Sequence, residues 1–138
     1  MPTSVSLAIA AALATAVLLT GCGLNVSTPD LFLLTRTGQG NTLQLLVNDD
    51  GTIRCNGGKA KMLANQLLLR ARDLSTTLDK DAKGNLSLPR AANSVFDYTI
   101  KLPDGTITFP DTAGASHAEL AQAQLFAVQA AQSACGLS

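Results

Sequence analysis

Three cysteines, one histidine and one short acidic run are the residues of this 138-residue chain whose types could do chemistry. The thiols are Cys22, Cys55 and Cys135. A thiol can accept a lipid, ligate a metal, attack a carbonyl or pair with a second thiol, and its surroundings select among these. The lone imidazole is His117, and a histidine can act as a general base. No Ser or Cys nucleophile is linked to it by spacing, so it is expected to be an exposed residue in the first turn of a helix. The run DKDAKGNL, Asp79 to Leu86, has the outline of a calcium loop, with Asp at positions 1 and 3, Gly84 at 6 and Leu86 at 8. Lys83 and Arg90 occupy positions 5 and 12, where calcium needs oxygen ligands, so the run is expected to be a solvated helix exit. No metal and no cofactor is expected. TGQG, Thr37 to Gly40, is not a phosphate loop, because no Gly-Lys-Ser/Thr follows it. The remaining carboxylates are scattered over turns, and no pair can be assigned to acid/base work.

Cys22 is placed by what precedes it. No charged side chain occurs before Asp30, and Val5 to Leu19 (VSLAIAAALATAVLL) has the length of a signal-peptide core while falling short of a comfortable bilayer span. Leu19-Thr20-Gly21-Cys22 resembles the lipobox of bacterial lipoproteins: an aliphatic residue, a small residue, Gly or Ala, then the lipidated cysteine. The resemblance implies that residues 1–21 leave as a signal peptide and that the Cys22 sulfur carries diacylglycerol. Residues 22–29 become a tether, and 30–138 form one globular domain on the extracytoplasmic side of a bacterial cell membrane. Acyl chains anchor at about 0.8 kcal/mol per buried CH₂, and two of them hold stably. The opening MPTS carries no Lys or Arg, a departure from the usual pattern that a start further upstream, or trimming of the chain, would explain.

Cys55 and Cys135 remain as an even pair in an exported domain, which points to a disulfide. Ile53 and Cys55 are two apart and share a strand face. At 3.6 residues per turn, Cys135 shares an arc with Leu120, Leu125, Val128 and Ala131. A bridge would tie the last helix to the third strand. Closing so long a loop contributes on the order of 4 kcal/mol in the chain-entropy account.

The elements follow from periodicity. Asp30–Gly38 (DLFLLTRTG) is apolar and favours strand, TGQGNT is a loop, and Thr42–Asn48 alternates with Leu43, Leu45 and Val47 on one face. Asp49-Asp50-Gly51 is a hairpin turn, and TIRCN returns as a third strand. CNGGKAK breaks the pattern before a helix over about Lys61 to Leu78. The helix stripe is Leu63, Leu67, Ala71, Leu74 and Leu78, widened by Leu68 and Leu69. A loop from about Asp79 to Ser94 follows. Ser94–Leu102 alternates, with Phe96, Tyr98, Ile100 and Leu102 on one face as core. Pro103–Thr106 (PDGT) turns into a fifth strand that ends at Pro110. Ser116-His117-Ala118-Glu119 reads as a capping box opening a last helix to about Ala134, with Gly136 just past its end. The expected fold is α+β, order βββαββα: a five-stranded antiparallel sheet with two helices packed on one face.

Ten basic residues balance ten acidic ones, and no basic stripe is present, so nucleic acid is not an expected partner. The Thr-Arg-x-Gly hairpin at Thr35–Gly38 and the Tyr98-strand-Asp104-Gly105-strand hairpin are similar to those of small bacterial cell-envelope lipoproteins. The stretch from Leu31 to Ala131 also resembles emfourin-type inhibitors of metalloproteases. Gln39 stands where those inhibitors commonly have a second adjacent Gly, and no inhibitory residue is transferred. The expectation is a non-enzymatic, membrane-anchored envelope lipoprotein that binds an envelope protein or another ligand. The alternative is a tethered inhibitor of an extracellular protease, presenting Thr37–Thr42 or Asp79–Ser94.

Overall fold

The computed structural model describes residues 30–137. The expected signal peptide, the tether and Cys22 lie outside the described residues. Strands β1 (Asp30–Gly38) and β2 (Asn41–Asn48) form the hairpin at the centre of the domain. They pair antiparallel, with Leu34 opposite Leu45 and Phe32 opposite Val47. The turn between them is two residues, Gln39 and Gly40, at φ of 52° and 75°. Both central residues in left-handed backbone give the strands the twist a tight hairpin needs. β3 (Thr52–Cys55) pairs with β2 after the Asp50-Gly51 turn, and Gly51 supplies φ of 92°. β5 (Asp97–Leu102) and β6 (Gly105–Pro110) form the second hairpin, and β5 pairs with the other edge of β1.

The sheet has six antiparallel strands rather than five, in the order β4-β3-β2-β1-β5-β6. The additional strand, β4 (Ala60–Met62), lies where the first helix was expected to begin. Asn56 and Gly57 have φ of 52° and 72°, and the Gly58 N–H donates to the Cys55 carbonyl, so Asn-Gly turns the chain back on β3. β4 is three exposed residues with no apolar alternation, a short lysine-bearing edge of the kind that discourages pairing with another chain. The opposite edge, β6, is covered by residues 86–88. The Leu88 N–H donates to the Thr108 carbonyl and the Thr108 N–H to the Leu86 carbonyl.

Helix α1 (Asn65–Lys83) starts four residues later and ends five residues later than its sequence pattern suggests. It buries Leu67, Ala71, Leu74, Leu78 and Ala82, while Leu69 stays 62% exposed on the far side. Its extension takes in the expected loop residues Asp79 to Lys83. An Asp79–Lys83 ion pair at i,i+4 and two lysines in the last turn suit that helix end. Arg72 donates to the Asp49 side chain and carbonyl at 2.7 and 2.9 Å, fastening α1 to the β2–β3 turn.

A 3₁₀ turn (Asp111–Ala115) leads into helix α2 (Ala118–Ser133). The capping box does not form: His117 is the cap residue, and no side chain bonds the helix's free N–H groups. The Ser116 hydroxyl lies 3.3 Å from His117 Nδ1 instead. The buried stripe also differs from expectation. Leu125 and Val128 are exposed, and α2 buries Leu120, Ala123, Phe126, Ala127, Ala130 and Ala131. Small residues let the helix lie close to the sheet, and Phe126 meets Phe32 edge-on at 5.6 Å. Both helices and the inner sheet face share one core, centred on Leu34, Leu45, Ile53, Ile100 and Ile107.

The Cys55–Cys135 disulfide ties the end of β3 to the chain just past α2, across 80 residues of sequence, with Cα atoms 5.8 Å apart. Gly136 reverses the chain at φ of 64°, and the Leu137 N–H returns to the Ala131 carbonyl.

Candidate functional site

The residues singled out in the sequence do not converge. His117 caps α2, and among the described residues no carboxylate bonds its ring. Asp79 and Asp81 lie on the last turn of α1, where helical geometry replaces any ligand loop. The hydrogen bond from Lys83 holds the Asp79 carboxyl below the usual carboxylate range, and the same pair raises the Lys83 ammonium. Among the described residues, no three His, Cys, Asp or Glu side chains come together as a metal set. Cys55 and Cys135 are bonded to one another.

The described surface carries several concave regions instead, among them two of different depth. A shallow groove of about 510 Å³ runs between α1 and α2, lined by Leu67, Arg70, Gln129, Gln132 and Ser133 among others. Its guanidinium is engaged, since Arg70 donates to Gln129 Oε1 across the groove. The second is a deeper cleft of about 280 Å³ beside the β1–β2 turn, lined by Arg36, Gly38, Gln39, Asn41, Leu43 and Phe96.

The cleft is built by register. Pairing of β1 with β5 puts Arg36 opposite Tyr98 and Thr37 opposite Asp97, so Phe96 comes alongside Gly38. Gly38 makes room for it. A Cβ there would stand 2.4 Å from the Val95 carbonyl oxygen and 2.6 Å from a Phe96 ring carbon, inside any real contact distance. The Phe96 backbone is held on both sides by Asp111: its N–H donates to the Asp111 carboxylate at 3.3 Å, and the Asp111 N–H donates to its carbonyl at 2.9 Å. The Val95 N–H also donates to that carboxylate, and Gln124 Nε2 donates to the Asp111 carbonyl at 2.9 Å. The ring so placed is a platform for the Arg36 guanidinium, 4.8 Å from its centroid.

Arg36 sits half-buried on the inner side of the sheet, between Leu43 and Tyr98 on the neighbouring strands. Tyr98 is stacked on Phe109 at 5.1 Å. Burial raises its phenol above the ordinary range, and the nearby Arg36 charge pulls it partly back. Reading the residues in sequence left this group unmarked: Phe96 and Tyr98 were expected as plain core, and TGQG as a loop. The Thr-Arg-x-Gly string was visible, but only strand pairing brings an aromatic ring 60 residues away beneath the arginine.

Comparison with protein-family models, with curated proteins and with solved structures finds no match to this chain. Among the described residues, no helix is long and apolar enough to cross a membrane.

Proposed function

We propose that this protein is a non-enzymatic lipoprotein of the bacterial envelope, anchored through Cys22, whose folded body is a binding module. The observation that carries the reading is the division of labour among the three cysteines. Cys55 and Cys135 are joined in a bridge, which suits an oxidising compartment. Cys22 is left as the odd thiol, at the end of Leu19-Thr20-Gly21. An envelope address explains both. The binding role is supported by a cleft with a cationic, preorganised wall and by side chains that do not converge on a nucleophile and base. Labelled palmitate should enter the chain in a bacterial host and be absent from Cys22→Ser. Mass spectrometry should find the mature N-terminus at Cys22. An intact residue 1–21 segment with an unmodified Cys22 thiol would end the reading.

The second reading is a tethered protease inhibitor of the emfourin type. Of its two candidate loops, Asp79–Ser94 is poorly suited: it begins as helix and its residues 86–88 are pinned to β6. The Thr37–Thr42 hairpin tip supports the reading, because it projects Gln39 and Gly40 from a rigid two-residue turn. Absence of inhibition at micromolar concentration against a panel of extracellular metalloproteases removes it.

A further inference from the structure

We propose that the cleft beside the β1–β2 turn binds a carboxylate, gripped by the Arg36 guanidinium. The inference deepens the binding-module reading and rests on it.

The chain has five arginines. Arg72 and Arg90 are paired with Asp49 and Asp97. Arg54 donates to the Gly58 carbonyl and Arg70 to the Gln129 amide. Among the described residues, Arg36 alone has neither a carboxylate nor a carbonyl acceptor, and it is the one placed in a cleft. Its one hydrogen-bonding side-chain neighbour is the neutral Tyr98 phenol, and a half-buried guanidinium without a charged acceptor is left with free energy that a bound anion would recover. Stacking on Phe96 compensates for part of this and fixes the guanidinium plane. A planar fork held in one orientation suits a planar, two-oxygen acceptor.

Charge and size narrow the ligand further. Arg36 is the only cation lining the cleft. The Asp111 carboxylate lies behind Phe96, close enough for both it and Arg36 to act on the Tyr98 phenol. A dianion would meet one positive and one negative group; a monoanion fits the balance better. The volume of about 280 Å³ admits a carboxylate with a short attached chain. Leu43 offers that chain an apolar floor, and the side chains of Gln39 and Asn41 lie at the rim. The carboxylate could come from the C-terminus of a peptide or from a free small acid, and the cleft's chemistry is the same for both.

The test uses the full chain in neutral detergent micelles, followed by ¹H–¹⁵N NMR. Probes are acetyl-Ala-Ala with a free carboxylate, its C-terminal amide, acetate and inorganic phosphate. The free acid should shift the Arg36 Nε–H and the backbone amides of Gly38 to Asn41 saturably, with Kd about 1 mM, as one charge-assisted contact gives. The amide should bind at least tenfold more weakly, and so should the free acid to Arg36→Gln. A peptide at least tenfold tighter than acetate assigns the site to a chain terminus; equal binding assigns it to small acids. Should Arg36→Gln fail to fold, the acid–amide comparison on the wild type decides alone. Equal shifts from acid and amide, no shifts at tens of millimolar, or phosphate binding tenfold tighter than either acid would overturn the proposal. Loss of palmitate labelling would instead sink the lipid anchor and leave these shifts untouched.

Discussion

Tyr98 and Phe96, two residues apart on one strand, show how differently one face can be used. Tyr98 is 3% exposed and stacked on Phe109, so its phenol must lose its proton away from water. Because burial raises its folded pKa above the unfolded value of about 10, the neutral phenol's contribution to stability is complete below that pH. It is lost as pH rises through the folded value. The urea midpoint of the wild type should therefore fall more steeply above about pH 10 than that of Tyr98→Phe, which keeps the stacked ring and has no proton to lose. Parallel alkaline slopes for the two proteins would show that Tyr98 does not titrate against the fold. Phe96, half-buried at the sheet's rim, gives its ring to Arg36 instead. A substitution at Gly38 would be felt in the cleft through this ring, because the added carbon must displace it.

At the scale of elements, the strands were legible and the helix faces only partly so. Alternation marks β5 and, through Leu43, Leu45 and Val47, β2, while the apolar run Leu31–Leu34 marks β1; a one-residue slip would turn the buried residues of these strands outward. β4 was not legible because it buries nothing and exists only as a partner for β3; the Asn56-Gly57 turn was its one available signal. In α2, hydropathy misleads. Leu125 and Val128 are more apolar than Ala123, Ala127 and Ala130, yet the alanines face the sheet because only they permit close approach. The capping box fails for a related reason: the preceding 3₁₀ turn consumes the Ser116 and His117 N–H groups, which donate to the Ala113 carbonyl. The two faces of α2 separate cleanly in experiment. Leu125→Gln and Val128→Gln should each change unfolding free energy by no more than about 0.5 kcal/mol, as exposed positions do. Phe126→Ala should cost about 3–5 kcal/mol through the cavity it leaves against Phe32. A large loss at Leu125 with a small one at Phe126 would restore the stripe that hydropathy suggests. The Arg36 cleft was illegible for the same reason as β4: it depends on which strands become neighbours, and β1 pairs with a strand that follows α1.

For the whole molecule, the bridge and the core answer separate questions. The core is continuous across the sheet and both helices, with no second cluster that could persist alone among the described residues. Unfolding should therefore be a single transition with or without the bridge. The disulfide acts mainly on the unfolded chain, where it removes the freedom of an 80-residue loop running from the end of β3 to the last turn of the domain. Its loss in Cys55→Ser/Cys135→Ser should cost about 2–5 kcal/mol. For a domain of this size the melting temperature should fall by about 10 °C or more. The ratio of urea midpoints should change while the transition remains single. Two transitions in the double variant would mean that the bridge, and not the shared core, joins the α2 end to the rest. An unchanged midpoint would mean that the reduced chain is already held at that corner by Gly136 and the Ala130 and Ala131 carbonyls. A body that unfolds as one unit, closed at its last turn and carrying its cleft at the opposite end of the β1 strand from Asp30, holds that cleft away from where a tether would enter. Under the proposed anchor at Cys22, that polarity would leave the cleft at the end of β1 remote from Asp30 free to meet a ligand.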